Sequence, residues 1–136
     1  MSEVIEVIKK PEIVVSDVDH WRLSNLATAA RNQLPDVAEE LQAEMVRAAI
    51  AEPGTMPADV VTMGSAVEFR KGAGEHRRIE LVFPGEADIA KGRISILTPI
   101  GAALIGLSVG QSISLLARDG RPQELTVLKV EQPAGV

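Results

Sequence analysis

Residues 92–115 read GRISILTPIGAALIGLSVGQSISL, and the order of their punctuation decides the fold. Arg93 to Leu97 alternates apolar and polar side chains at the two-residue period of a strand, and Pro99 ends that strand. Ile100, Ala103 and Leu104 then stand at helical spacing until Gly106 stops the turn. Val109 and Gly110 make a tight corner into a second strand, Ser112 to Leu116. A short helix pinned between two strands by this much proline and glycine predicts a sheet with one helix laid across it.

Working outward, the neighbouring segments supply the rest of that sheet. Val67 and Phe69 alternate with Glu68 and Arg70, a Gly72-Ala73-Gly74 loop follows, and Ile79, Leu81 and Phe83 alternate with Arg78 and Glu80. That pattern is a hairpin closed by Pro84-Gly85. Asp119-Gly120 predicts a turn into a last strand, Glu124 to Val130. In that strand Leu125 and Val127 keep phase while Leu128 and Val130 lose it, which predicts a bulge or burial on both faces. The second half therefore reads as four or five antiparallel strands.

The first half is helical. Ser16 with Asp19 three residues later has the form of a capping box, and Asp17 and Asp19 put negative charge where the helix dipole favours it. This first helix is expected to run to about Asn32 with Val18, Trp21, Leu26 and Ala29 or Ala30 on its apolar face. After the break at 32–36, Pro35 or Asp36 opens a second helix with the stripe Val37, Leu41, Met45 and Ala48. So short a loop makes the two helices antiparallel neighbours. Val4 to Ile8 and Ile13 to Val15 are strand-like but interrupted by Pro11, which suits an edge strand or an extended arm. The cluster Glu52-Pro53-Gly54-Thr55-Met56-Pro57 marks a turn or linker between the halves. The fold class is α+β, with an N-terminal arm and helical hairpin at 1–55 and a sheet domain at 56–136. Charge divides at nearly the same place: residues 1–60 carry 5 basic and 11 acidic side chains, and residues 61–136 carry 9 and 8.

Composition narrows the functions open to such a chain. Of its 136 residues only Trp21, Phe69 and Phe83 are aromatic, so a base-stacking platform or an aromatic-walled pocket has little to build with. A net charge of −5 opposes non-specific binding to a phosphate backbone, and no direct, sequence-specific nucleic-acid contact is expected. The absence of cysteine excludes disulfides, thiolate metal sites and a cysteine nucleophile, and fits a cytoplasmic protein. No apolar run approaches the length of a membrane span, and the N-terminus lacks the features of a targeting signal.

Candidate chemistry is sparse. His20 lies in a helix first turn and His76 in a polar loop, without the spacing of a metal pair, so both read as structural or solvated. Gly101, Gly106 and Gly110 lack the following Lys-Ser/Thr of a phosphate loop and read as turn formers. Arg70-Lys71 and His76-Arg77-Arg78 are interleaved with Glu68, Glu75 and Glu80, which favours solvated hairpin charge over an RNA contact. Asp36, Glu39 and Glu40 gather at or just after the hairpin tip. They either answer the helix dipole or, on a projecting arm, share a metal ion held by another protein. No catalytic set, metal site or cofactor of the chain's own is predicted.

The run GEADIAKGRISILTPIGAALIGLSVGQSISL (85–115) resembles the C-terminal, FKBP-like domain of the bacterial GreA/GreB transcript cleavage factors. The shared features are an acidic loop, an I-S-x-x-(S/T)-P turn and an A-L-(I/L)-G helix end, and the likeness continues through LTVLKVE (125–131). MPADVVTMGSAVEFR (56–70) looks like the matching segment of the regulators of nucleoside diphosphate kinase, a Gre-related group with a shorter N-terminal coiled coil. The resemblance implies a short coiled coil followed by an FKBP-like domain, with bacterial RNA polymerase as partner and no enzymatic activity. It implies docking at the polymerase secondary channel through Asp88, Ser95, Thr98, Pro99 and Ile100 with the adjoining turn to Gly106. In Gre factors a long coiled coil carries tip carboxylates to the catalytic magnesium. Here the arms are short, the tip reads Asn32-Gln33-Leu34-Pro35-Asp36, and Gln111 stands where an acidic residue often follows the glycine. These departures imply a channel-blocking competitor of Gre factors. The alternatives are an active cleavage factor using Asp36 with Glu39 or Glu40, and, from the fold analogy alone, a prolyl isomerase or small-ligand module.

Overall fold

The computed structural model describes residues 10–116 and 120–133. Strand β1 (Val14–Ser16) leads directly into helix α1 (Asp17–Ala29), whose first turn is capped by Ser16 accepting from the Asp19 N–H at 3.1 Å. Residues 30–34 close the hairpin through Leu34 N–H to the Ala30 carbonyl at 2.8 Å. Pro35 opens helix α2 (Pro35–Arg47), where a missing N–H loses nothing, and Arg47 in the last turn complements the dipole. His20 Nε2–H donates to the Met45 carbonyl at 3.0 Å, tying the start of α1 to the end of α2 and fixing the two helices as antiparallel.

Three features of this half differ from the sequence expectations. First, α1 stops at Ala29, short of Asn32. Second, it buries Leu23 and Ala27, with Ala30 buried at its C-cap, leaving Val18 57% and Trp21 70% exposed. Two alanines on the inner face let α1 approach α2 closely, a contact that an inward Trp21 would hold apart. Third, β2 (Ala49–Ala51) follows α2 and pairs in parallel with β1, Val14 opposite Ala49 and Ser16 opposite Ala51. The hairpin is thus the crossover between two parallel strands, a connection that needs about a dozen residues or more. The expected stripe Val37, Leu41 and Met45 is buried, joined by Glu44, while Ala48 lies just past the helix and is half-buried against the core. The strand-like Val4 to Ile8 lies outside the described residues, as does Asp119 of the predicted turn.

The second half is a five-stranded sheet of β3 (Ala66–Lys71), β4 (Glu75–Val82), β5 (Arg93–Ser95), β6 (Ser112–Leu116) and β7 (Pro122–Glu131), in the order β5-β4-β3-β7-β6. The β3–β4 hairpin turns at Gly72, whose φ of 58° lies in the left-handed region. Between β3 and β7 the register shifts, so that Glu68 faces Lys129 and Phe69 faces Val127. Leu128 is the extra residue, and the lost phase of the last strand is a bulge. The sheet is mixed where an antiparallel one was expected. Residues 83–92 carry two short 3₁₀ turns, Pro84–Glu86 and Ile89–Lys91, and bring β5 back parallel to β4 with Glu80 opposite Arg93.

Helix α3 (Pro99–Leu104) lies over the inner sheet face. Its Ala102, Ala103 and Leu104 share one continuous core with Val67, Phe69, Leu81, Leu125 and Val127 of the sheet and Leu23, Leu41 and Met45 of the hairpin. Full burial of a side chain such as Leu41 or Phe69 stabilises the fold by about 1.5–3 kcal/mol. Polar ties run along the same seam. Val14 N–H donates to Gly106 O (3.2 Å), Gly106 N–H to Val61 O (3.0 Å), and Gln111 Nε2 to Glu12 O (3.1 Å). Asp19 Oδ2 accepts from the Met63 N–H at 3.2 Å, so the acid of the capping pair links α1 to the loop before β3. The turn cluster closes on itself, Thr55 donating through N–H and Oγ1 to the Glu52 carbonyl.

Candidate functional site

The turn from Ser95 to Gly101 is built by its own hydroxyls. Ser95 Oγ accepts from the Leu97 N–H (2.9 Å), Thr98 Oγ1 donates to the Ser95 carbonyl (2.8 Å), and the same Oγ1 accepts from the Gly101 N–H (3.1 Å). Thr98 is thereby the N-cap of α3, with Pro99 at its first position. A Cβ on Gly101 would stand 2.5 Å from the Ser95 carbonyl, so only glycine permits this closure. Gly106, at φ 83°, ends the segment with no room for a side chain, since a Cβ there would lie 2.8 Å from Ile13 Cβ. Two of the expected docking residues, Ser95 and Thr98, therefore spend their hydroxyls on shaping the turn. Pro99 is exposed and Ile100 half-buried against the core.

Asp88 begins the 3₁₀ turn that feeds β5, and it exchanges both backbone hydrogen bonds with Arg93 at 3.0 Å. Gly92, at φ 73°, makes that tight return possible. The Asp88 side chain caps nothing and, among the described residues, forms no ion pair or hydrogen bond. Arg93 and Ser95 bound β5, about 7 Å apart along the strand, so Asp88 and the Ser95–Ile100 turn occupy its two ends.

The hairpin carboxylates are divided. Asp36 and Glu39 border a polar depression at the tip with Arg31, Asn32 and Gln42. Glu40 turns instead toward the sheet half, into a mainly apolar cleft of about 270 Å³ lined by Pro99, Ala102, Ala103, Ile113, Ser114 and Leu115, with Lys10 and Glu44 at its rim. Burial raises the Glu40 carboxyl above the ordinary glutamate value, Lys10 opposes the rise, and Asp36, Glu44 and Glu39 add to it. Glu44 is itself held by Arg47 at 2.7 and 3.0 Å and by Lys10 at 3.6 Å. Among the described residues no group of three or more histidine, aspartate or glutamate side chains is placed to hold a metal ion.

Beyond the expected set, the structure exposes Trp21 and stacks Arg22 over Phe83, 4.2 Å from the ring centroid. No polarity signal in the sequence marked that outward face, because the two faces of α1 are of nearly equal polarity. Of the basic hairpin charges, Arg78 pairs with Glu131 at 2.8 Å and Arg77 with Glu75 at 3.6 Å, and beside the hairpin Arg93 of β5 meets Glu80 at 3.4 Å.

Residues 56–132, the sheet half with its α3 turn, match the family described as transcription elongation factor GreA/GreB, C-terminal part. The chain belongs to the GreA/GreB family. Residues 11–50, the arm and hairpin, match the Rnk N-terminus. Over 125 residues the chain is 38% identical to the regulator of nucleoside diphosphate kinase of Escherichia coli K12, covering 91% of this chain and 92% of that one. It is also 38% identical over 80 residues to the elongation factor GreA of Thermodesulfovibrio yellowstonii, covering 58% of this chain and 51% of that one. In three dimensions it resembles a GreA/GreB elongation factor of Nitrosomonas europaea, with a TM-score of 0.70 and 33% identity over 88% of this chain and 99% of that one. Family membership supports a transcription-factor-like role. Among the described residues no helix is long and apolar enough to cross a membrane.

Proposed function

We propose that this GreA/GreB-family chain is a non-enzymatic, cytoplasmic regulator that binds bacterial RNA polymerase through residues 56–136. On this reading the surface formed by Asp88 and the Ser95–Ile100 turn docks at the secondary channel, and the hairpin of residues 1–55 occupies the entrance in competition with longer Gre factors. The observation that carries the reading is the match of residues 56–132 to the Gre C-terminal part, coupled to helices of only 13 residues each. Each arm is about 20 Å long. The shortness of the arms supports blocking over cleavage, because tip carboxylates act on a metal ion held by another protein only where the arm carries them to it. Asp88, with no partner among the described residues, is the charge offered to basic groups on the polymerase.

The test is co-purification with core polymerase followed by displacement of a bound GreA. Binding at micromolar concentration, weakened by Asp88→Lys, is expected. No retention at about 10 µM would sink the reading, and transcript shortening in stalled complexes that disappears in Asp36→Ala would replace it with cleavage.

A further inference from the structure

We propose that the cleft between α2, α3 and the free edge of β6 receives an extended segment of a partner protein, paired main chain to main chain with β6, with a lysine or arginine set against Glu40. The inference goes beyond polymerase docking, and its test uses no polymerase, so the two readings fail separately.

The strand edge comes first. β6 ends the sheet order, with β7 on one side only. Gly110 N–H donates to Val127 O (2.8 Å) and Val127 N–H to Gln111 O (3.0 Å), which sets the alternation for the strand that follows. Ile113 opposite Leu125 and Leu115 opposite Gln123 then direct their backbone groups to β7. Ser112 and Ser114 direct theirs outward. Among the described residues no backbone group answers those outward N–H and C=O groups, the condition under which an extended chain adds to a sheet. Three consecutive residues of β6, Ile113, Ser114 and Leu115, line the cleft. Side chains alternate along a strand, so the cleft runs beside the backbone edge itself.

The cleft walls specify what the added segment carries. Ala102, Ala103, Ile113 and Leu115 make an apolar floor. Its volume of about 270 Å³ is below the ~300–1,000 Å³ of cofactor and drug pockets and suits the side chains of a passing strand. On the opposite wall Glu40 has no hydrogen bond or ion pair among the described residues, whereas Glu44 already has Arg47 and Lys10. Asp36, Glu39 and Glu44 all act on Glu40 with the same sign, against Lys10 alone. An incoming cation therefore finds a carboxylate that makes no ion pair and has three acidic neighbours against one lysine, and an incoming anion is repelled.

The experiment is fluorescence anisotropy on the full chain with a short labelled peptide of alternating valine and threonine around one central lysine, against the same peptide with central glutamate. Saturable binding of the lysine peptide below ~1 mM, at least about tenfold tighter than the glutamate peptide, is expected. Glu40→Lys, a surface change that leaves the core intact, should reverse that preference. Ser114→Pro should weaken both peptides about tenfold or more, because it removes an outward N–H without touching the ladder to β7. Equal affinity for the two peptides, or binding indifferent to Ser114→Pro in a protein of unchanged circular dichroism, overturns the proposal. So does a dimer by light scattering that Ser114→Pro dissolves, which makes a second copy the occupant. A synthetic peptide of residues 1–9 that binds more tightly than the lysine probe also overturns it, assigning the cleft to the chain's own start.

Discussion

Gly106→Ala tests the junction on which the whole arrangement depends. Gly106 has φ 83°, and its carbonyl and N–H hold β1 and Val61 across the seam between hairpin and sheet. An alanine there meets two penalties. The left-handed backbone costs a residue with a Cβ about 1 kcal/mol. The new methyl would lie 2.8 Å from Ile13 Cβ and 3.2 Å from the Val14 carbonyl, an overlap that costs about 1–3 kcal/mol as the seam shifts. Gly110 separates the two effects. Its φ is 93° but a Cβ there meets nothing within 4 Å, so Gly110→Ala carries the backbone penalty alone. A chain of 136 residues has an unfolding entropy of about 0.3 kcal/mol/K, so 1 kcal/mol moves Tm by about 3–4 °C. Calorimetry should therefore show Gly110→Ala melting ~3–4 °C low and Gly106→Ala ~7–14 °C low. Equal shifts would refute the close-packed seam, because they would leave only the shared backbone term.

Thr98→Ala removes the N-cap of α3 and should lower stability by about 1 kcal/mol in denaturant titration, while Thr98→Ser retains most of it. Glu44→Ala strips the carboxylate from half-buried Arg47, leaving it the Pro11 carbonyl, and should cost about 2–4 kcal/mol, against less than about 1 kcal/mol for Arg78→Ala at an exposed pair. Asp19 supplies a pH test. Burial holds its carboxyl above the ordinary value of 3.8, opposed by the Met63 N–H and Arg22. The folded state thus takes up the proton before the unfolded chain does. Asp19's charge is a penalty at neutral pH that lifts as pH falls through the raised value toward 3.8. Asp19→Asn, whose Oδ1 still accepts from Met63, should match or exceed the parent at pH 7 and lose that advantage in acid. An advantage that grows on acidification would contradict the assignment.

Much of this architecture was legible because local chemistry dictated it. Proline at 99, the hydroxyl at Thr98 and glycines at 101, 106 and 110 can satisfy their backbone conformations in very few ways, and the turn they build matches the one read from the string. The lost phase at Leu128 similarly announced its bulge. The outward face of Trp21 was not legible because α1 has two candidate faces of similar polarity, and the partner helix selects the one lined with alanines. Asp36, Glu39 and Glu40 share one helix end in the sequence, yet the turn of about 100° between Glu39 and Glu40 leaves Glu39 at the tip depression and sets Glu40 one turn above Asp36 beside the cleft.

The sequence by itself determined the helical hairpin, the β3–β4 hairpin, the α3 turn with its flanking strands and the family to which the chain belongs. Periodicity, caps and turn residues act over a few positions and are written there. Tertiary structure alone decided the parallel return of β5, the pairing of β1 with β2, the exposure of Trp21 and the meeting of Glu40 with Pro99 across a cleft. Each of those depends on which distant surface is buried against which. That choice follows from the balance of packing across the whole core and from no single stretch of chain.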